Sequence, residues 1–367
     1  MNIAVLVSGG VDSSVALRLL HEQGHQLTAY YVKIWLEDEL SHLGSCPWEE
    51  DLAYVRQVCG QIGVPLEVVP LQRDYAQEVL EYTLEEIRRG YTPSPDIMCN
   101  QRIKFGAFRK AINDPHVMIA TGHYAKVVHQ NSESHLLRSP DAMKDQTYFL
   151  ARLSREQLQH ALFPLGDLKK SEVRALAHRY QLPNCDRPDS QGICFLGKIS
   201  FPEFLEHHLG TQPGPLIDYD TGMQVGTHRG FWFYTHGQRQ GIGLSGGPWY
   251  VVRKNVEENI VYISREYKNL SDERMHCYVR DVHWLAPELA QQVSEQGCSF
   301  ALKLRHGPHF NTGVVRTVPG VSGCFRIDLS MPDQGIAPGQ FVVFYEGDRC
   351  VGSGIIEHDP RIDGALL

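Results

Sequence analysis

The segment Ser8-Gly9-Gly10-Val11-Asp12-Ser13-Ser14 stands between an apolar run, residues 3–7, and a helical pattern with Val15, Ala16, Leu19 and Leu20 on one face. A strand, a glycine turn and a helix start make a cradle for phosphate. Backbone N–H groups converge there, and the helix dipole adds roughly +0.5 charge. Gly9 and Gly10 let the main chain approach an anion in conformations that a Cβ would forbid, and Ser8, Ser13 and Ser14 add hydroxyl donors. No Gly-Lys-Ser/Thr follows, so this is not the lysine-bearing P-loop. The plain alternative is an ordinary strand-to-helix turn.

Two thiols stand out by their surroundings. Cys99 lies in Thr92-Pro93-Ser94-Pro95-Asp96-Ile97-Met98-Cys99-Asn100, where two prolines fix the backbone and Asp96 precedes the thiol by three residues. Arg102 and Lys104 could favour a thiolate or bind phosphate. Cys194 lies in Asp189-Ser190-Gln191-Gly192-Ile193-Cys194-Phe195, a glycine-bearing loop. The alternative for each is a small buried residue, the fate of most free cysteines. Neither has a second ligand at zinc spacing, so no metal site is expected.

Three further stretches could read a nucleotide. In Thr121-Gly122-His123-Tyr124, Gly122 would let a nucleotide approach the backbone and His123 could contact a base or a phosphate; otherwise it is a capped turn with a structural histidine. Lys144-Asp145-Gln146-Thr147-Tyr148 gathers donors, an acceptor and an aromatic ring, or is a solvated helix start. Arg239, Arg253-Lys254 and Arg305-His306-Gly307-Pro308-His309 could grip an RNA backbone, where affinity comes mainly from phosphate neutralisation, or are wet surface.

Positioning such groups takes a frame. Strand-like runs at residues 3–7, 27–32, 66–69 and 117–120 alternate with helical patterns at 15–22, 52–62 and 75–88. Repeated βα units predict a doubly wound parallel sheet, with ligand beyond the carboxyl ends of its strands. A helical pattern follows at 168–180, a Pro/Asp/Gly-rich loop at 183–197 and a short helix at 202–209. After Gly210 short β-type runs dominate, at 231–234, 250–253 and 261–264, and from Cys277 at 278–282, 300–304, 313–317, 324–329, 340–345 and 350–356. Alternation and turns there predict one or two small β-barrels. The expected division is an α/β catalytic domain at 1–198, a small β-rich domain at 199–277 and a C-terminal β-barrel at 278–367.

Composition narrows the class. At 367 residues the chain has room for two or three cores. No apolar run approaches the roughly 20 residues that span a membrane. Met1-Asn2 leads straight into a strand without a basic leader, so the expected compartment is the cytoplasm. Nine cysteines without a C-x-x-C pair read as free thiols in a reducing compartment. The formal net charge of −8 does not by itself suggest a nucleic-acid partner, so an RNA surface would have to be a local basic face.

Together, residues 8–14, 92–105, 121–124, 144–150, 189–196, 235–243 and 337–340 resemble the tRNA-specific 2-thiouridylase family of the ATP-pyrophosphatase superfamily, along essentially the whole chain. The glycine loop alone would also fit GMP synthetase, argininosuccinate synthetase or a 4-thiouridine synthase; the two cysteine motifs are the specific part. The resemblance implies that ATP, with Mg2+, adenylates the C2 oxygen of a wobble uridine and that sulfur then displaces AMP. It implies a persulfide on Cys194, received from a sulfur-relay protein, and a nucleophile at Cys99, with a transient Cys99–Cys194 disulfide. Asp96 would act as acid or base at the uracil, which Ser94, Pro95 and Asp96 surround. ATP contacts would come from Leu6, Val7, Ser8, Gly9, Gly10, Val11, Asp12, Ser13, Val32 and Gly122. Contacts to tRNA would come from His123, Lys144, Asp145, Gln146, Arg305, His306 and Gln340. The chain departs from the family at Val32, where methionine is usual, at His306, where tyrosine is commoner, and at Gln191, where threonine is common. The resemblance leaves open the oligomeric state, the choice of tRNA and whether hydrosulfide or the persulfide attacks the base. Two other classes compete: an amidating ligase of the same fold, which needs no paired thiols, and a non-catalytic tRNA-binding protein with a relic loop. Two structural expectations follow: a positive face near Cys99 shared by the catalytic and β domains, and mobile loops around Cys99 and Cys194.

Overall fold

Residues 2–6 read Asn-Ile-Ala-Val-Leu, so a strand built from them needs apolar cover on both faces. In the computed structural model, which describes residues 1–35, 48–130, 133–189, 200–266 and 274–359, that is what they receive. Seven strands fall in the first half: β1 (Asn2–Leu6), β2 (Gln26–Lys33), β3 (Leu66–Pro70), β4 (Met118–Ala120), β5 (Ala125–Gln130), β6 (Glu133–Arg138) and β7 (Ala161–Leu162). Five of them form an all-parallel sheet in the order β3-β2-β1-β4-β7. Ile3 and Val5 face a core shared with α1 (Val11–Glu22) and with the helices Trp48–Ile62 and Lys170–Arg179. Ala4 and Leu6 face the opposite core, built on the helical runs 72–88 and 95–112. The doubly wound sheet expected from the sequence is therefore present. The chain leaves β1 toward β2 and β3, then returns to place β4 on the other side. The switch point lies between β1 and β4, where open α/β sheets bind ligand.

The second unit holds β8 (Gly214–Asp218), β9 (Gln224–His228), β10 (Tyr250–Asn255) and β11 (Ile260–Ser264), in the order β10-β11-β8-β9. Residues 231–234, expected as strand, instead make the 3-10 turn Phe231–Phe233. Successive aromatics there serve different neighbours. Phe231 is buried in the core of this unit, while Trp232 and Phe233 also pack against the core of the catalytic domain.

The third unit carries β12 (His276–Trp284), β13 (Cys298–Lys303), β14 (Asn311–Thr317), β15 (Phe325–Leu329), β16 (Phe341–Glu346) and β17 (Arg349–Glu357). β12 pairs with both β15 and β17, which closes a six-stranded barrel and leaves none of its own edges bare. Two features had no sequence expectation. The helix Pro287–Gln296 inserts Leu289 and Val293 into the barrel core. The hairpin β5–β6 leaves the catalytic domain and pairs with β17 through Leu136 and Leu137. Phe341, Val343, Tyr345 and Cys350 extend the catalytic core into the barrel, so the two units share one apolar interior. Among the described residues no helix is long and apolar enough to cross a membrane.

Candidate active site at the switch point of the sheet

The glycine turn sits at the carboxyl end of β1. Gly9 takes φ +78°, and a Cβ there would stand 2.7 Å from the Asp51 carbonyl oxygen. Gly10 caps α1 with extended backbone and no side-chain hydrogen bond, so the N–H groups of the first turn point outward unclaimed by a cap. The expected serine donors divide. Ser13 and Ser14 are buried and donate to the Gly10 carbonyl at 3.1 and 3.0 Å, whereas Ser8 is exposed. Hydroxyls inside a helix fold back on the preceding turn, and only Ser8, before the helix, escapes this. Leu6, Val7 and Val11 bury their side chains in the cores, which leaves their backbone as what they can offer a nucleotide. Val32 lies half-buried near the end of β2.

Gly122 serves a close approach within the protein itself. A Cβ on it would lie 2.7 Å from Ser13 N and 2.8 Å from the Asp12 carbonyl carbon. The turn after β4 is pressed onto the first turn of α1 on the side a Cβ would occupy. Gly122→Ala must push the two loops apart, and we expect ATP affinity to fall by about tenfold or more with little loss of fold, as read by nucleotide titration. Unchanged affinity would show that the cradle tolerates the shift.

A network of charges lines the cradle's flank, and sequence reasoning found only part of it. Asp12 accepts from the Tyr124 hydroxyl at 2.8 Å and from Lys170 Nζ at 2.7 Å. Lys170 also meets Asp189 at 2.7 Å, and Asp189 accepts from Lys144 at 2.7 Å and Arg174 at 2.6 Å. Burial opposes the charge on Asp189, but hydrogen bonds from Lys144 and Lys170 outweigh it and hold the carboxyl well below the usual carboxylate range. Asn184 Nδ2 supports the turn at Gly9 O (2.8 Å) and Ser14 Oγ (2.9 Å), and Arg187 Nη1 reaches Gly9 O at 3.2 Å. Lys170, Arg174, Asn184 and Arg187 lie more than 150 positions from the loop they serve, with no local motif to mark them.

Cys99, expected on a mobile loop, lies instead in a helix and is 2% exposed. Pro95–Met98 is a first α-turn with proline at its start, continued by a π-helical stretch, Cys99–Ala107, and by Phe108–Ile112. Proline suits a first turn because the missing N–H would have had no partner there. The spacing places Asp96 and Cys99 one turn apart on one face, and π turns are frequent at functional sites. Arg102 is engaged with the neighbouring helical run. Its guanidinium donates to the Glu78 carbonyl at 2.7 Å and lies over the Tyr82 ring. Cys194 falls outside the described residues, five positions beyond Asp189.

The remaining site residues gather around this helix. Ser94 hydrogen-bonds the Tyr148 hydroxyl, which donates to the Phe341 carbonyl at 3.0 Å. Asn100 donates to the Phe149 carbonyl at 3.0 Å, and His306 stacks on Phe149 at 4.6 Å. Gln340 Nε2 donates to the carbonyls of Thr92 (2.8 Å) and Pro93 (3.2 Å), so its amide nitrogen is committed to clamping the Cys99 segment against the barrel. Arg305 is exposed. Gln146 accepts from Tyr124 N at 3.0 Å. His123 shares a 2.7 Å hydrogen bond with Thr121 Oγ1. Burial, helped by the nearby Lys104 charge, holds its pKa well below the usual histidine value, so it is neutral at pH 7 and is no cation for a phosphate.

Asp145 corrects an expectation. Its side chain and that of Lys303 are both fully buried, 2.7 Å apart, and the Thr147 hydroxyl donates to the same carboxylate at 2.9 Å. The carboxylate cannot reach an RNA; it anchors the segment that presents Lys144 and Gln146. A continuous path of contacts thus runs from Asp12 through Tyr124 and Gln146 to the short helix Thr147–Leu150, and from Phe149 to the turn holding Cys99.

Three family descriptions match consecutive parts of the chain: "tRNA methyl transferase HUP domain" over residues 1–198, "tRNA methyl transferase PRC-barrel domain" over 202–265 and "Aminomethyltransferase beta-barrel domain" over 274–356. Among relatives, the chain is 44% identical to tRNA-specific 2-thiouridylase MnmA 1 of Bacteroides thetaiotaomicron, over 97% of this chain and 99% of that one. It is 43% identical to tRNA-specific 2-thiouridylase MnmA of Porphyromonas gingivalis, again over 97% and 99%. Among solved structures it is similar to a 4-thiouridine synthetase in complex with RNA and ATP, at 16% identity and a TM-score of 0.33, covering 56% of this chain and 48% of that chain.

Proposed function

This chain belongs to the tRNA-specific 2-thiouridylase family, and we propose that it uses ATP to replace the C2 oxygen of the wobble uridine in tRNA by sulfur. The observation that supports this reading most is the juxtaposition of two chemistries. An uncapped helix start suited to pyrophosphate is joined by Tyr124, Gln146 and the helix Thr147–Leu150 to the turn that carries Asp96 and Cys99.

In the first half-reaction the uracil O2 attacks the α-phosphorus of Mg-ATP and pyrophosphate leaves. The backbone N–H groups after Gly10 receive the phosphates. Lys170, already 2.7 Å from Asp12, is placed to take up part of their charge. The uridine must leave its stack to enter a site this enclosed. Ser94 and Asp96 then hold the base by its polar edge, and Asp96 manages the proton that the uracil gives up.

In the second half-reaction Cys194 carries the sulfur as a persulfide received from a donor protein. The Cys99 thiolate attacks the inner sulfur, the Cys99–Cys194 disulfide forms and hydrosulfide is released. Hydrosulfide adds to C2, AMP leaves with the former O2, and a thiol reductant returns two electrons to the disulfide. Direct attack of the terminal persulfide sulfur on C2 is the competing order. Lys144, Arg305 and His306 contact the RNA, whereas Asp145 and Gln340 position those that do.

The test is nucleoside mass spectrometry on unmodified tRNA incubated with the protein, Mg-ATP and a sulfide donor. 2-Thiouridine is expected with ATP and absent without it. ATP cleaved to AMP and pyrophosphate without any 2-thiouridine would turn the assignment toward the amidating ligases. No ATP cleavage in the presence of tRNA would favour a non-catalytic RNA-binding protein.

A further inference from the structure

Where the catalytic domain, the central unit and the barrel meet, the structure holds a cavity of about 600 Å³. That is far larger than one phosphate needs and lies within the range typical of sites for whole small molecules. Gly90 and Thr92 form its catalytic wall, His236, Arg253 and Lys254 its central wall, and Arg274 and Tyr278 part of its barrel wall.

Three observations say what it takes. The first is charge. Arg253 makes no ion pair with a described residue, and Lys254 Nζ contacts only the Tyr234 carbonyl, at 3.1 Å. Burial alone pulls the Lys254 pKa down to about 8, with no described acid raising it again. A half-buried cation that no carboxylate of a described residue meets within ion-pair distance is stabilised when an anion arrives. Glu357 also lines the cavity, but its carboxylate is taken by Arg280 at 2.6 Å and by the Tyr91 hydroxyl; Asp359 is the other acid there. Arg89 and Arg326 in the lining are matched to Glu86 and Asp328.

The second is backbone. The pairing of β10 with β11 slips between Val251 and Arg253, so the simple in–out alternation is broken and Val252, Arg253 and Lys254 all contribute to one cavity. Bulges of this kind re-aim side chains.

The third is place. Thr92 is held by Gln340 and by a 2.7 Å hydrogen bond from its N–H to the Pro338 carbonyl, and it stands two residues before Ser94. A Cβ at Gly90 would lie 2.5 Å from Val256 Cγ2, so the central unit is seated directly on this segment. The cavity thus opens beside the segment that leads to Ser94 and Asp96.

We propose that the three-domain cavity is a second nucleotide subsite for the RNA substrate, in which Arg253 and Lys254 bind the backbone phosphate of a residue other than the target uridine. Its imidazole and phenol rings give an extruded base something to stack on, as single-stranded RNA recognition requires. The inference rests on the RNA-modifying function proposed above.

The test is titration of labelled, unmodified tRNA with the full-length protein across a salt series, for wild type, Arg253→Gln/Lys254→Gln and Lys254→Arg. The double variant should bind about tenfold more weakly near physiological salt, with a log–log salt slope shallower by about one per cation removed. Lys254→Arg should stay close to wild type, since the charge remains. A double variant with wild-type affinity and slope overturns the proposal while leaving the RNA function standing. Failure of the wild type to bind tRNA overturns the functional reading and this subsite with it. If AMP alone binds the wild type but not the double variant, and tRNA binding is unchanged, the site is for free nucleotide and the proposal is wrong. Should the double variant lose its melting transition, Arg253→Gln alone is decisive, because that side chain is exposed; its slope should fall by about one.

Discussion

Cys99→Ser is expected to abolish 2-thiouridine formation, by about a thousandfold or more, while ATP is still converted to AMP and pyrophosphate when tRNA is present. The two half-reactions use different groups. Adenylation relies on the backbone of the turn after β1 and the charges beside it, which lie on other elements than the helix of Cys99. Sulfur transfer needs a soft nucleophile that ionises near neutral pH, and a serine hydroxyl does not. The exchange is nearly isosteric. Cys99 is 2% exposed inside a helix, where a serine hydroxyl can bond to the carbonyl of the preceding turn, so the fold should survive. Mass spectrometry of the nucleosides, with chromatography of the adenine nucleotides from the same reaction, reads both halves at once. Retained thiolation would remove Cys99 from the mechanism and leave direct attack by the Cys194 persulfide. Loss of both halves would mean that residue 99 shapes the uridine pocket itself.

The parts of this site that could be read from sequence are those where local order dictates geometry. An apolar run followed by Gly9-Gly10 and a serine-rich helix start can hardly be anything but a strand feeding a helix N-terminus. The Asp96–Cys99 interval becomes one helical turn as soon as Pro95 starts a helix. What could not be read depends on distant partners or on which way a side chain turns. Ser13 and Ser14 have the same composition as phosphate-binding hydroxyls, yet a helical backbone offers them the Gly10 carbonyl first. Gly122 is crowded by the backbone of Asp12 and Ser13, an approach between two loops that no local motif announces. Lys170 and Arg174 face outward in sequence terms and converge on Asp12 and Asp189 only because the helix Lys170–Arg179 packs beside α1. The hairpin β5–β6 could not be placed, since the β17 edge it joins lies more than 200 residues away. The resemblance implies an RNA contact at Asp145, alongside Lys144 and Gln146. Its partner Lys303 is 158 positions distant and nothing near residue 145 announces it.

That pair carries the other large effect. Lys303→Met should lower stability by about 3–5 kcal/mol, because it strands a carboxylate in a place with no water. Both side chains are wholly buried, and the pair bridges the catalytic domain to strand β13 of the barrel. Removing the cation leaves Asp145 with the Thr147 hydroxyl at 2.9 Å, the long N–H contacts of Ser139 and Thr147 at 3.4 Å, and a loose ion pair to Arg138 Nε at 3.7 Å. The protein can respond only by protonating the carboxylate or by parting the domains, and either is costly. The loss should be specific to the under-compensated charge. Adding Asp145→Asn to Lys303→Met keeps an acceptor for Thr147 without the charge and should recover at least about half of the lost stability. Denaturant unfolding of wild type, single and double variants closes the cycle. Because Asp145 holds the segment between Lys144 and Gln146, the single variant should also bind tRNA more weakly at temperatures where it remains folded. Equal unfolding midpoints for wild type and Lys303→Met would show that the buried pair contributes no net stability. Asp145 would then have to be explained by something other than the anchoring of its segment to the barrel.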